Sequence, residues 1–241
     1  MAKRSKQRAA AKKAAPKKAA RKKAAPKKAA RKRAAPKRHV ELVYKDATCK
    51  PTDDHVEGPY YRPGAPPLTD LYPSDSHGSV LHFEGTVSDI HCRPVHGVSG
   101  EIWQADEKGR YDNQDPAHQP APDYFRLRAR FAIGPDGTFR LRTVLPANYT
   151  VDDPGGNWTR VKHLHFKFFA HGHQPFTTEI ELLPDRHTRS DKLYNPHLAA
   201  HLQEAGAEKG LPAYRACYDF VLKPVSMKGY ALAAGRLKPQ R

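Results

Sequence analysis

The sequence predicts a mainly β fold, a β-sandwich of mixed sheets with long loops, preceded by a disordered Lys/Ala/Pro-rich tail. Two observations predict the sandwich. Short runs of apolar, aromatic and β-branched residues recur at 80–87, 100–106, 124–133, 138–144, 163–170, 176–183 and 217–222. Gly and Pro punctuate them, which favours a sandwich or barrel over an α/β fold. A third observation predicts the tail: of 42 Lys and Arg in 241 residues, 18 fall in residues 1–38, where there is no acid.

Taken in order, residues 11–38 repeat with a ten-residue period, AKKAAPKKAA, RKKAAPKKAA, RKRAAPKR. Such a composition buries no core and its like charges repel, so residues 1–38 are expected to be disordered in isolation. The pattern resembles the Lys-Ala-Pro tails of linker histones and bacterial histone-like proteins. It would contact nucleic acid or another polyanion through phosphates, in a salt-dependent way and without sequence information. A solvated tail that only aids solubility is the other reading, and the two stand level. The remaining 203 residues carry 24 bases and 25 acids, so the net charge of +17 belongs to the tail. Residues 39–78 read as an irregular N-terminal arm, rich in Pro, Gly and Tyr over 57–78. Residues 79–225 are the sandwich domain and 226–241 a C-terminal tail.

Within the domain, Asp136-Gly137 signals a hairpin between the runs on either side. One helix is expected near 196–206, with Pro196 early and Gly206 at its end. Alternation through 124–133 would place Arg126, Arg128 and Arg130 on one cationic face of a strand. Three cysteines, Cys49, Cys92 and Cys217, are an odd number without paired-ligand spacing, which argues against a disulfide framework and suits a reducing compartment. No apolar stretch approaches the roughly 18 residues of a membrane span, and no apolar segment follows the basic N-terminus as in a secretory signal. The expected location is cytoplasmic, with nucleoid association an option through the tail.

The chemistry concentrates in four residues. His163 and His165 lie at spacing i, i+2 in RVKHLHFKFF, so on a strand both imidazoles point to one face, with Cα atoms about 7 Å apart. Tyr111 in GRYDN and Tyr149 in LPANYT are turn-bordering tyrosines. Two phenolates and two imidazoles form a hard, strongly donating set that suits a ferric ion better than zinc or ferrous iron. The second pair, His171 and His173, sits in AHGHQP, where Gly172 and Pro175 break the alternation. His91, His96, His118, His187 and His197 have no partner at ligand spacing. There is no nucleophile elbow, P-loop or paired CxxC.

With EGPYYRPGAP, GEIWQADEKGRYDN, DGTFRLRTVLPANY and RVKHLHF followed by TTEIELL in that order, residues 57–223 resemble the intradiol ring-cleavage dioxygenases. These are non-haem ferric enzymes that open catechols between the two hydroxyls, on a mixed β-sandwich. The resemblance implies Fe(3+) held by Tyr111, Tyr149, His163 and His165, with Tyr149 the labile axial ligand and His165 the other axial one. It implies Arg160 as the stabiliser of negative charge on the substrate ring, with Trp158 and Glu179 beside it as substrate-binding residues. A catecholic substrate and dioxygen would give a cis,cis-muconate-type product.

Two departures from the family pattern stand out. Glu179 occupies the position of a usual Gln in a TTQ pattern, which implies altered substrate preference or slower turnover through pairing with Arg160 or hydrogen bonding to substrate. Lys162 follows Val161 in RVKH where RPxH is common, though alternation should turn it to the opposite face. The arm follows the tail almost directly, leaving no room for the helical dimerisation domain of catechol and hydroxyquinol dioxygenases and leaving a homo-oligomer open. The competing reading is a nucleic-acid-associated protein whose β-sandwich is a non-catalytic scaffold.

Overall fold

A computed structural model describes residues 49–225. The expectations for residues 1–38, for the start of the arm and for residues 226–241 lie outside the described residues. The strands are β1 (Val80–Ser88), β2 (Ser99–Trp103), β3 (Arg128–Ala132), β4 (Thr138–Val144), β5 (Tyr149–Val151), β6 (Trp158–Arg160), β7 (His163–Phe169), β8 (Phe176–Leu183), β9 (Ala199–His201), β10 (Gln203–Glu208) and β11 (Leu211–Val221). They form a four-stranded sheet in the order β10-β11-β1-β4, a five-stranded sheet in the order β3-β2-β7-β8-β9, and the ribbon β5-β6. Two pairings, β1 with β11 and β8 with β9, are parallel, so both large sheets are mixed as expected.

Alternation builds the core. On β7, Leu164, Phe166 and Phe168 are fully buried and turn toward the other sheet, while His163, His165 and Lys167 turn away. Phe166 meets Phe83 of β1 at 5.1 Å between ring centroids, and Phe168 meets Phe220 of β11 at 4.7 Å. Phe131 of β3 reaches Phe139 of β4 at 4.7 Å. Interlocked aromatic rings from both sheets therefore hold the sandwich shut, each pair adding roughly 0.5–1.5 kcal/mol beyond its area burial.

The structure corrects several expectations. Around 196–206 there is only a single 3-10 turn, Pro196–Leu198, followed by β9 and β10. Ala200 is buried as β9 pairs with β8, so sheet pairing overrides the helical propensity of the Ala-rich segment. Gly206, expected to end a helix, has φ +84° within the register shift of β10 against β11. The turn at Asp136-Gly137 forms, closed by Gly134 accepting from Gly137 and donating to Thr138, but it carries the chain from one sheet to the other rather than making a hairpin. Arg126 is off the strand because Leu127 adopts φ +55°. Arg126 pairs instead with Asp75. Arg128 is buried against Asp112, Asn113 and the Tyr60 carbonyl, and Arg130 donates to the Ala65 carbonyl. The cationic face is therefore a seat for the arm.

Cys49 and Cys92 are disulfide-bonded, contrary to the expectation from their number. Cys49 N–H donates to the Ile90 carbonyl at 2.7 Å, which lays the arm beside the loop after β1 and brings the two Cα atoms to 5.3 Å. A fold contact between residues 43 positions apart is invisible to cysteine spacing. The argument from cysteine usage to a reducing compartment falls with it. Cys217 is free and exposed. No helix among the described residues is long and apolar enough to cross a membrane. Opening this loop with Cys92→Ser is expected to cost about 2–4 kcal/mol of stability. Denaturant unfolding of the native and variant chains, with and without reductant, checks this; the variant should be insensitive to reductant.

Candidate metal centre

The centre lies on the outer face of the five-stranded sheet. In the β7-β8 register His165 stands opposite Glu179 and His163 opposite Glu181, so two imidazoles and two carboxylates share one face. Trp103 of β2, opposite His165, stacks on its ring at 4.9 Å with an interplanar angle of 1°. This face would be wet in an open sandwich. The arm covers it: His55 N–H donates to the Thr177 carbonyl, Tyr61 donates to Glu101, and Lys167 pairs with Glu57 while its ammonium sits 4.4 Å from the Tyr61 ring. His163 and His165 are each only 3% exposed as a result.

The tyrosines arrive on two docked loops. After β2 the chain turns through Asp106–Arg110, where Asp106 accepts from the backbone of Lys108 and Arg110. Gly109, at φ +74°, closes the turn, and a Cβ there would lie 2.3 Å from the Asn148 carbonyl oxygen. The Ala147 N–H donates to the Asp106 carbonyl. The loop carrying Tyr111 therefore rests directly on the one carrying Tyr149. Asn148 is held in turn by the Arg160 carbonyl and by Asp185, which also takes Lys162 Nζ at 2.6 Å. Lys162 points away from the centre, as alternation predicts.

These elements bring all four sequence-predicted donors together. Tyr111 Oη donates to His163 Nε2 at 3.4 Å. The rings of Tyr111 and Tyr149 are 5.8 Å apart, those of Tyr149 and His163 5.7 Å, and those of His163 and His165 4.8 Å at 89°. His163 Nδ1 donates to the Val161 carbonyl at 2.6 Å, which leaves Nε2 with its lone pair toward Tyr111. Tyr111 is 5% exposed and stacked on Tyr60 at 4.5 Å, whereas Tyr149 is only half-buried.

The protonation states fit a cation. Burial holds both imidazoles below their ordinary range, with repulsion from His163 adding to the effect at His165, so they stay neutral as ligands must. Burial and the neighbouring Tyr149 push the Tyr111 hydroxyl well up, and burial takes Tyr149 to about 12 despite the opposing charge of Arg160. Two phenols that ionise so reluctantly become phenolates only beside a strong positive charge. The donor set therefore fits a hard trivalent ion.

Arg160, on β6 opposite Tyr149, is buried between two carboxylates: Nη2 donates to Glu179 Oε1, and Nε donates to Asp191 Oδ2 at 3.1 Å. Trp158 lies over its guanidinium at 5.9 Å. His163, His165 and Glu179 bring their ligand atoms within 4.8 Å of one another, and they are the one such His/Cys/Asp/Glu cluster among the described residues. His171 and His173 stay apart from it, with His173 Nδ1 facing the His171 carbonyl. Sequence reasoning missed His55, Trp103, Asp191 and Glu181. Trp103 follows from strand register once pairing is known; His55 and Asp191 come from irregular segments that carry no periodic signal.

A family model described as Dioxygenase matches residues 56–224. The chain is 31% identical over 153 residues to the catechol 1,2-dioxygenase of Acinetobacter baylyi, covering 58% of this chain and 49% of that protein. It is 34% identical over 137 residues to the chlorocatechol 1,2-dioxygenase of Cupriavidus pinatubonensis, covering 52% of each. The chain thus spans about half the length of the curated relatives it matches. Among solved structures, the dioxygenase domain of a dioxygenase carbohydrate-binding protein fusion from Streptomyces sp. SirexAA-E aligns with a TM-score of 0.59 and 34% identity, over 73% of this chain and all of that one. The 3-chlorocatechol 1,2-dioxygenase of Rhodococcus opacus 1CP aligns with a TM-score of 0.64 and 30% identity, over 72% of this chain and 73% of that one.

Two substitutions check how the loops are held. Gly109→Ala should cost at least about 1–2 kcal/mol through its positive φ alone. It should also push the Tyr111 and Tyr149 loops apart, lowering ferric affinity in a titration followed by absorbance. For Asp185, burial raises the carboxyl, but Lys162, Asn148 and the His187 N–H outweigh it and hold it below its ordinary 3.8. The stabilisation is therefore full above that value and is lost as pH falls through the depressed one. Asp185→Asn should cost about 1–3 kcal/mol at pH 7, and in denaturant titrations the gap to the native chain should narrow progressively as pH falls below 3.8.

Proposed function

The chain belongs to the intradiol dioxygenase family, and from that premise we propose that residues 56–224 cleave a catecholic ring between its two hydroxyls at a ferric centre. The carrying observation is the convergence of Tyr111, Tyr149, His163 and His165 from separate segments, with His163 Nε2 already aimed at Tyr111 Oη. Ferric iron, when bound by these four, supplies the Lewis acidity that lowers the catechol hydroxyls and readies the ring for dioxygen.

The protein's own groups divide the remaining tasks. Tyr149 is the donor open to solvent and the one suited to leave when substrate arrives. Burial holds its Oη at about 12, so this oxygen would be able to take up a catechol proton. Tyr111, His163 and His165 stay put: stacking on Tyr60, the Val161 carbonyl and the face of Trp103 hold their planes. Arg160, on the strand facing Tyr149, supplies fixed positive charge next to the position Tyr149 vacates, where negative charge builds on the ring. Trp158 covers the guanidinium and helps exclude water from it. The carbon–carbon bond between the two oxygenated carbons breaks, and both atoms of dioxygen enter the two carboxyl groups of a muconate-type product. Atoms balance without a further reductant. The sandwich as a non-catalytic scaffold for a nucleic-acid-binding tail is not favoured by any feature of residues 49–225.

The test is oxygen uptake by ferric-loaded protein with catechol, protocatechuate and hydroxyquinol, with ring-opened products identified. One dioxygen per substrate is expected for at least one of them, along with a visible tyrosinate-to-iron absorption band; a loaded protein without that band would sink the proposal. Tyr149→Phe should keep iron and lower kcat by about 10²-fold or more, since it removes the proton acceptor. Steady-state kinetics and iron stoichiometry on the same sample check this.

A further inference from the structure

Glu179 is a buried charge facing one guanidinium and two imidazoles, and these neighbours tie the arm to the metal centre. Its side chain is fully buried. Oε1 accepts from Arg160 and lies 3.4 Å from His55 Nδ1; Oε2 lies 3.6 Å from His165 Nδ1. His55 belongs to the arm, and its other nitrogen, Nε2, donates to the Leu193 carbonyl at 3.0 Å. With Nε2–H spent there, Nδ1 can meet a carboxylate favourably only by carrying a second proton. Arg160 is in turn anchored by Asp191, whose Oδ2 also accepts from the Val161 N–H at 2.7 Å.

The orientation of His165 gives this cluster its consequence. Its Nδ1 edge faces Glu179, and its ring is clamped flat on Trp103, so Nε2 is the nitrogen left for a metal. His165 Nδ1 and Glu179 Oε2 are both buried without a hydrogen-bond partner. Two complementary orphaned groups facing each other across 3.6 Å need only a small approach to pair, and a metal on Nε2 makes the Nδ1–H a stronger donor. His163 is served differently: its Nδ1 donates to a neutral backbone carbonyl. The two imidazoles thus have unequal partners, one neutral and one anionic.

We propose that Glu179, held in place by Arg160 and the arm residue His55, is a positioning residue that acts on the metal through His165, making that imidazole the more electron-donating of the two. This rests on the ferric reading above. A carboxylate at this distance stabilises the ferric over the ferrous ion, so the centre stays oxidised. His55 is required because it supplies the second cation that keeps a fully buried carboxylate in its place, one that Arg160 alone, shared with Asp191, serves only in part.

The test uses the full chain loaded with ferric ion and reads the iron reduction potential and the tyrosinate-to-iron absorption band. Glu179→Gln should keep one iron per chain, raise the potential and move the band to longer wavelength, because loss of the anion makes the ferric ion a better acceptor. His55→Asn should change both readouts in the native background and neither in the Glu179→Gln background, since His55 acts only through the carboxylate. Unmoved potential and band in Glu179→Gln, with a lowered Tm alone, would reduce Glu179 to a structural ion pair and overturn the proposal. Loss of stoichiometric iron from Glu179→Gln would also overturn it, by making Glu179 a direct ligand. A native chain that takes up no ferric ion overturns the ferric reading and this inference together, whereas a coloured native chain with indifferent variants overturns this inference alone.

Discussion

Strand alternation on β7 is the constraint on which the rest of the structure depends. Leu164, Phe166 and Phe168 must enter the core, and the aromatic contacts across the sheets hold them there. A slip of one residue would bury Lys167 and both histidines in the sandwich and expose three large apolar side chains. Core packing therefore fixes the register, and the register places His163 and His165 side by side on the outer face. The same two-residue period on β8 brings Glu179 and Glu181 to that face, opposite the histidines.

Putting polar groups on the outside of a sheet and then burying them creates an electrostatic problem that the irregular segments solve. The arm and the segment around Asp191 cover the face and supply its counter-charges. Arg160 answers Glu179 and Asp191, and His55 answers Glu179 from the other side. Glu181 is not so answered: burial and the nearby Glu179 charge raise it to about 8, against a backbone N–H from Asn195, so it is neutral in neutral solution. Two carboxylates two residues apart on one strand thus differ in charge state because one faces cations and the other does not. The disulfide between Cys49 and Cys92 lies just upstream of His55 and pins the start of the covering segment to the sandwich.

Much of this was legible in the chain itself. The runs at 138–144 and 176–183 match β4 and β8 residue for residue, and the four side chains that the spacing and the resemblance named converge at one place. Local patterns carried those readings, since alternation and turn residues are properties of neighbours in sequence. The errors share an opposite origin. The segment after Pro196 has the composition of a helix and becomes β9 and β10 because β8 and β11 offer free edges. Asp136-Gly137 makes the turn its residues favour, yet which sheet each flanking strand joins is settled by packing. The cysteine count could not foresee a pair brought together by the path of the arm.

The sequence by itself determined the fold class, the inward and outward faces of β7 and β8, and which four side chains to look for at one place, because each is written in a short-range period or an ordered set of motifs. Only the tertiary structure decided what surrounds those donors. His55, Trp103, Asp191 and the docking of the Tyr111 loop on Asn148 come from segments far along the chain from their partners, or from strand pairing that spans the domain. Electrostatic partnership depends on distance in space rather than along the chain, so Glu179 could be named from the sequence, while its place beside His165 is a property of the fold alone.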